Sequence, residues 1–155
     1  MSTPAQPGRM FFMTLPVADV ERSKAFYAAI GFGFNPLFSG EDTACMPLSD
    51  QAVVMLGSHA KVAELSKLPI GDPRTHTLAL YCFNVPSRDE VDRVADAALA
   101  AGARDADDTE DHGFMYSRAF YDLDGHGWQV MWMDPAAVEQ GPGAVGAAAE
   151  DGSAG

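Results

Sequence analysis

Residues 113–135, GFMYSRAFYDLDGHGWQVMWMDP, constrain the fold of this chain more than any other stretch. Two runs rich in aromatic residues and methionine flank residues 122–127, whose Asp and Gly residues tolerate the left-handed backbone of a tight reversal. The pattern predicts a β-hairpin. Because each run is apolar at almost every position, we expect the hairpin to lie in a sheet that is covered on one face and encloses a space on the other.

The remainder of the chain divides into two stretches with the same order of predicted elements. In the first, a strand at residues 10–17 precedes a helix at 20–30, which Asp19 caps and Gly31 ends. In the second, a capping box of Ser87 and Glu90 opens the helix, and Gly102 ends it. The other predicted elements are strands at 33–39, 43–48 and 52–57, a connector at 58–74, a strand at 75–85, a helix at 88–101, and strands at 103–109, 114–121 and 128–133.

Each predicted helix carries an apolar face at helical spacing. The two faces consist of Val20, Ser23, Tyr27 and Ile30, and of Val91, Val94, Ala95 and Ala98. One curved sheet with a single helix does not close a core, whereas two copies packed together do. The repeat therefore predicts an α+β protein of two βαβββ modules, at residues 10–57 and 75–135. We expect disordered tails at residues 1–9 and 136–155, where the composition is polar or rich in Ala, Gly and acidic residues.

The composition limits the partners and the compartment. A formal net charge of −12 disfavours nucleic acid and anionic membranes, and it favours a neutral or cationic small molecule or another protein. The sequence opens without a recognisable signal peptide and has no apolar stretch long enough to span a membrane, so we expect a cytoplasmic protein. Cys45 and Cys82 both lie in apolar runs, which predicts buried, reduced thiols.

Two segments resemble a known family. DLDGHGWQVMWMD at residues 122–134 is similar to the closing strand of the vicinal oxygen chelate superfamily, which contains glyoxalases, bleomycin resistance proteins and extradiol dioxygenases. LPVADVERSKAFYAAIGF at residues 15–32 resembles the opening module of the same superfamily, and the resemblance covers about residues 10–135. The hairpin region is most similar to a glyoxalase-like subgroup of mostly unassigned function. The resemblance implies two βαβββ modules forming a cupped mixed sheet, and a homodimer.

The resemblance also indicates where a metal would lie. In the family's metalloenzymes four strand positions supply the ligands, and these align here with Phe12, Met55, Leu80 and Gln129. The position of the usual glutamate ligand is thus occupied by Gln129. Zinc, nickel, manganese and iron need imidazole, carboxylate or thiolate donors, and this set offers one amide, one thioether and two hydrocarbons. We therefore expect no metal at the usual position.

The same positions suit an apolar or aromatic ligand. Strand alternation puts Gln129 and Met131 on one face, so both are expected to face the same pocket. Alternation leaves open whether Tyr116 and Arg118, or Tyr121, share that face. A second interpretation has these side chains filling the interior of the sheet without leaving a cavity. The candidate ligand-binding residues are Phe12, Met55, Leu80, Gln129, Met131 and Tyr116.

Sequence reasoning leaves other functions open. The first hypothesis is metal-independent binding or sequestration of a small molecule; the alternative is a lyase, isomerase or dioxygenase that binds zinc, nickel, manganese or iron through rearranged ligands such as His59, His76 or Gln129. A third is metal-free acid and base catalysis by Tyr116 or His112. The acidic run at residues 105–111, DADDTED, is either a lid or a solvated connection.

Overall fold

The computed structural model describes residues 5–141, which divide into two units. Unit one ends at Gly71 and unit two begins at Asp72. Within the described residues, no helix is both long and apolar enough to cross a membrane. The predicted N-terminal tail falls partly on residues 1–4, which lie outside the described part; residues 5–9 are exposed and belong to no helix or strand.

Unit one is a three-stranded mixed sheet with one helix after its first strand and another after its last strand. The strand order is β1-β3-β2, with β1 parallel to β3 and β2 antiparallel to β3. The elements are β1 (Phe11–Val17), α1 (Val20–Ala29), a 3-10 turn (Pro36–Phe38), β2 (Thr43–Ser49), β3 (Ala52–Ser58) and α2 (His59–Leu65).

Helix α1 follows the sequence signals closely. The Asp19 side chain accepts a 3.0 Å hydrogen bond from the backbone N–H of Arg22, as an N-cap should. Gly31 follows the helix with φ +111°, a left-handed conformation that glycine adopts without the steric cost of a Cβ. The predicted face is confirmed, because Val20, Ser23, Tyr27 and Ile30 are all buried.

Unit two is built around a five-stranded sheet. The order is β4-β8-β7-β5, with β6 also paired to β7; β4 runs parallel to β8, and β7 is antiparallel to β8. Both units thus pair their first strand with their last strand in parallel. The elements are β4 (Leu80–Asn84), α3 (Arg88–Ala100), β5 (Arg104–Asp105), β6 (Glu110–Asp111), β7 (Met115–Tyr121), β8 (Gly127–Met133) and α4 (Pro135–Gln140).

The predicted hairpin is β7 and β8. Its turn is closed by the buried side chain of Asp122, which accepts hydrogen bonds of 2.9 Å from the backbone N–H groups of Asp124 and His126. Gly125 supplies the left-handed residue of the turn, with φ +98°. Helix α3 covers one face of the hairpin and buries its predicted side chains, Val91, Val94, Ala95 and Ala98, in the core of unit two.

Three predicted strands are wrong or too long. Within residues 33–39 the structure has a single β-bridge, of Asn35 with Cys45, followed by a 3-10 turn at Pro36–Phe38, because the Asn35 side chain caps the turn and Pro36 lacks the N–H that a strand ladder needs. The strand predicted at 75–85 starts only at Leu80, since Asp72 draws the backbone N–H groups of the next residues into a turn. The strand at 103–109 shrinks to Arg104–Asp105, and Asp107 then takes a left-handed φ of +51°. Unit one therefore has two strands after its helix instead of three.

The first residues of the predicted C-terminal tail are helical instead. The Asp134 side chain accepts a 2.9 Å hydrogen bond from the N–H of Ala136, and Pro135 has a fixed φ suited to the first turn of a helix. Helix α4 thus occupies Pro135–Gln140, where a disordered segment was expected, and it buries Ala137. The rest of the predicted tail, residues 142–155, lies outside the described residues.

Candidate functional site

The hairpin strands of unit two have two distinct faces. Strand register puts Tyr116 opposite Trp132, and Arg118 opposite Val130, on the face that α3 covers, which we call the helix face. Tyr116 donates a 2.7 Å hydrogen bond from its hydroxyl to Asp92 of α3. This bond to a carboxylate raises the pKa of Tyr116, with burial as a smaller cause. The helix face is therefore occupied by contacts within the protein.

The opposite face carries Gln129, and we call it the Gln129 face. Strand register aligns Gln129 with Ala119 of β7 and with Cys82 of β4. Leu80 lies two residues before Cys82 on the same side of β4, and its exposed fraction is 83%. These side chains border a groove of about 420 Å³ in unit two. The groove is lined by Leu80, Tyr81, Cys82, Ala106, Asp108, Glu110, Ala119, Phe120, Tyr121, Gly127, Trp128 and Gln129.

Gln129 is held in one orientation on the groove. Its Nε2 donates a 3.0 Å hydrogen bond to Oγ of Ser117, a side chain that is fully buried. Within residues 5–141, no hydrogen bond reaches the amide oxygen of Gln129. The amide oxygen therefore stays available as an acceptor for a molecule in the groove.

An acidic loop forms one wall of the groove. This loop, residues 105–111, begins at β5 and ends at β6, and both of these short strands pair with β7. We call it the acidic arch. Ala106, Asp108 and Glu110 line the groove, and they include its two charged side chains. The run predicted to be either a lid or a solvated connection is thus paired to the sheet at both ends.

Cys82 differs from the sequence prediction. Cys45 is buried in unit one, as expected, but Cys82 is exposed because it lies on the Gln129 face of β4, opposite the face that α3 covers. Partial desolvation within the groove raises the pKa of the Cys82 thiol. Cys82 is thus a protonated and accessible thiol at neutral pH.

The predicted site residues fall into separate groups. Leu80 and Gln129 both line the groove. Met131 lies on the same face, opposite Ser117 and beyond the groove lining. Tyr116 lies on the helix face, where its hydroxyl is bonded to Asp92 of α3. The structure therefore does not bring Tyr116 together with Gln129.

Phe12 and Met55 belong to unit one. In the parallel pair of β1 and β3, Phe12 is opposite Val53 and Met55 is opposite Thr14, so both lie on one face of that sheet. Phe12 is largely exposed, with an exposed fraction of 61%, and Met55 is half-buried.

The predicted set of ligand-binding residues omits several lining residues. Cys82 was within reach because it alternates with Leu80, and Tyr121, whose face the sequence left open, shares the Gln129 face with Ala119. Asp108 and Glu110 gave no comparable signal, because their place in the wall depends on the pairing of β5 and β6 with β7.

The donor set does not fit the metal that the family resemblance implies. Among residues 5–141, no group of three or more His, Cys, Asp or Glu side chains is arranged to hold a metal ion. His76 lines a separate cavity of about 40 Å³, and its Nδ1 is 2.8 Å from Oγ1 of Thr75. His59 opens α2 in unit one. Gln129 supplies one neutral amide oxygen to the groove, which is a poor ligand for a borderline dication by itself.

Comparisons with known proteins point to one family of folds. Residues 9–49 match the family model described as bleomycin resistance protein-like N-terminal. No curated protein matches the sequence.

Solved structures match most of the chain. The hypothetical protein SA1046 from S. aureus is 23% identical with a TM-score of 0.68, covering 83% of this chain and 95% of its own. A glyoxalase-related enzyme from Fulvimarina pelagi is 23% identical with a TM-score of 0.67, covering 81% and 88%. A glyoxalase/bleomycin resistance protein/dioxygenase family enzyme from Burkholderia phytofirmans PsJN is 16% identical with a TM-score of 0.64, covering 79% and 96%.

These matches agree with the sequence resemblance in both halves of the chain. The family model covers β1, α1 and β2, and the structural neighbours extend the likeness through most of the remaining chain. At these identities, the structural likeness concerns the fold. The resemblance is therefore confirmed at that level: this chain is an α+β protein with the fold of the glyoxalase/bleomycin resistance/dioxygenase proteins.

Proposed function

We propose that this protein binds or sequesters a small, largely apolar or aromatic molecule in the groove on the Gln129 face, without the help of a metal ion. The observation that carries the proposal is the groove itself. Its volume of about 420 Å³ lies in the range typical of small-molecule sites. Several structural neighbours are named for bleomycin resistance, which is consistent with a binding role on this fold.

The chemistry of the lining favours a flat ligand with few polar groups. Leu80, Cys82 and Ala119 offer aliphatic and thiol surface, and the ring of Tyr121 adds an aromatic side. Such walls give apolar contact, while a small number of polar atoms fixes orientation. A ligand that packs on these residues needs little hydrogen bonding to be held.

Gln129 supplies the orienting polar group. Its Nε2 is engaged by Ser117, so its amide oxygen is held in place as an acceptor without a further loss of side-chain freedom on binding. A ligand with an N–H or O–H group at one edge would therefore bind better than one with acceptors alone.

Direct titration with defined aromatic probes tests the proposal. Thioflavin T is a flat aromatic cation, and 8-anilinonaphthalene-1-sulfonate is an aromatic anion of comparable size. Each is titrated into protein treated with EDTA, and the metal content is measured before and after incubation with zinc, nickel, manganese and ferrous iron. We expect at least one probe to bind in the absence of metal.

A groove variant and a matched control locate the binding. The groove variant is Leu80→Glu, which introduces a charge on the exposed strand position without disturbing a buried side chain. The control is Val138→Glu on the exposed side of α4, which adds the same charge outside the lining. Loss of binding in the first alone supports the proposal. Equal binding by both variants would overturn the groove as the binding site. Binding that requires an added metal would overturn metal-independent binding and favour the metal-dependent alternative.

A further inference from the structure

Arg88, at the first position of α3, joins the helix to the end of the acidic arch. Its Nη1 and Nη2 donate hydrogen bonds of 3.0 and 2.9 Å to the two carboxylate oxygens of Asp111, and Nη2 also donates to the carbonyl of Gly113 at 2.9 Å. The guanidinium lies 5.2 Å from the ring centres of both Tyr116 and Trp132. This two-pronged geometry is specific to arginine.

Strand alternation connects this contact to the groove. Asp111 is paired with Tyr116, and both point to the helix face, where Arg88 lies. Glu110 is paired with Ser117, so it points to the opposite face and lines the groove. The two neighbouring acidic residues therefore serve opposite faces of one strand.

The pairing of β6 with β7 is short. The strand is two residues long, and beyond it the N–H of His112 donates a 2.9 Å hydrogen bond to the carbonyl of Met115. Separation of β6 from β7 would move the Glu110 carboxylate away from the groove wall. The contacts of Arg88 with Asp111 and with Gly113 beyond it oppose such a separation.

We propose that Arg88 is a positioning residue for the groove: by holding β6 against β7, it keeps the carboxylates of Glu110 and Asp108 in the wall and gives the groove a preference for cationic over anionic molecules. The proposal rests on the groove described under the proposed function. Asp108 and Glu110 are the charged side chains of its lining. The Nε2 of His112 lies 3.5 Å from the Glu110 carboxylate, and Arg104 stacks on the ring of Tyr121, another lining residue.

Cys82 allows a test that needs no ligand. Its thiol is exposed in the groove, whereas Cys45 is buried. The probes are two methanethiosulfonates, one with a trimethylammonium group and one with a sulfonate group. The rates of Cys82 modification are measured by peptide mass spectrometry, and the ratio of cationic to anionic rates is normalised to that of 2-mercaptoethanol. This ratio reports the potential at the groove.

The direction in which the ratio of modification rates changes separates a positioning role of Arg88 from the simple effect of its charge. Arg88→Ala removes a positive charge, which by itself would raise the preference for the cationic reagent. If Arg88 positions the carboxylates, the ratio instead falls by about three- to tenfold, to the value of Glu110→Gln, and the two changes are not additive. Arg93→Ala is the matched control, since Arg93 pairs with Glu90 on the same helix without a contact to the arch.

Two further variants keep the proposal falsifiable if Arg88→Ala folds poorly. Arg88→Lys retains the charge and loses the paired hydrogen bonds to Asp111, so the ratio of modification rates should fall partway towards the value of Arg88→Ala. The charge-swapped pair Arg88→Asp with Asp111→Arg should recover most of the wild-type ratio, although each single change lowers it. Hydrogen exchange at residues 105–111 should quicken in the single variants and slow again in the pair.

The outcomes distinguish this proposal from the proposed function. An unchanged or raised ratio in Arg88→Ala and Arg88→Lys, with a lowered ratio in Glu110→Gln, would overturn the role of Arg88 while leaving the groove intact as a binding site. A falling ratio in the Arg88 variants would support positioning even if neither aromatic dye binds the wild-type protein. Failure of dye binding alone would count against the proposed function.

Discussion

Gln129 donates a 3.0 Å hydrogen bond from its amide to the buried hydroxyl of Ser117, diagonally across β8 and β7. This bond fixes the amide on the groove and leaves its oxygen as an acceptor. Gln129→Leu keeps a side chain of similar size but removes that acceptor. We expect thioflavin T to bind about three- to tenfold more weakly, because one hydrogen bond is lost.

Val138→Ala, on exposed α4, controls for handling of the variant protein. Gln129→Leu and Val138→Ala are each compared with the wild-type protein by fluorescence titration and by thermal unfolding. A Gln129→Leu protein with wild-type affinity would remove Gln129 from the proposed site.

Cys82 should report occupation of the groove. Its thiol is exposed but has a raised pKa through desolvation, so we expect iodoacetamide to modify it more slowly than a free cysteine at pH 8. Cys45 should stay unmodified in the native protein because it is buried. Saturating thioflavin T should slow Cys82 modification further. Equal rates with and without bound dye would show that the dye lies elsewhere.

Tyr116→Phe tests which face of the hairpin serves the site. The substitution removes the 2.7 Å hydrogen bond to Asp92 on the helix face. Because Asp92 is half-exposed, we expect a loss of less than about 1 kcal/mol in the free energy of unfolding. Dye affinity should not change, since Tyr116 is absent from the groove lining. A clear drop in affinity, measured beside Gln129→Leu, would contradict the assignment of faces.

The pair of Arg88 and Asp111 predicts how stability depends on pH. Hydrogen bonds from Arg88 and from the backbone of Gly113 lower the pKa of Asp111 from 3.8 to about 2. A carboxyl group with a lowered pKa stabilises the folded state above its unfolded pKa, and the contribution is lost as pH falls towards the folded value. Asp111→Asn should therefore be less stable than wild type above about pH 4, with the difference shrinking towards pH 2.

Urea unfolding of both proteins at several pH values between 7 and 2 measures this difference, and carbon-13 NMR of the Asp111 carboxyl gives the titration directly. A midpoint near pH 4 in the titration of the Asp111 carboxyl, or a stability difference that does not depend on pH, would show that the Arg88 contact does not persist in solution.

Local signals in the sequence were enough for much of the fold. Asp19 and Ser87 mark the starts of α1 and α3, and the Asp and Gly residues around Gly125 mark the hairpin turn. Side chains at these positions bond to backbone groups within a few residues, so a short window of sequence contains the whole interaction. Residues 75–79 were misassigned because a turn anchored by Asp72 overrides their strand propensity.

The site was less accessible to sequence reasoning. Leu80 and Gln129 were found through alignment with the family, and alternation extends that set to Cys82. Alternation also divided β7 into two sets of side chains without saying which of them faces the groove. That choice depends on Asp92 and Asp96 of α3, which bind Arg118, and such a contact between distant segments leaves no local pattern.

Amide NMR spectra of EDTA-treated, nitrogen-15-labelled protein, recorded during titration with thioflavin T, test whether the groove binds a small molecule without a metal. We expect saturable shifts of amide signals centred on Cys82, Ala119 and Gln129, together with those of the acidic arch, at a ratio of one dye per chain. Shifts scattered over other surfaces, or shifts at these residues only after a divalent metal is added, would contradict metal-independent binding in the groove.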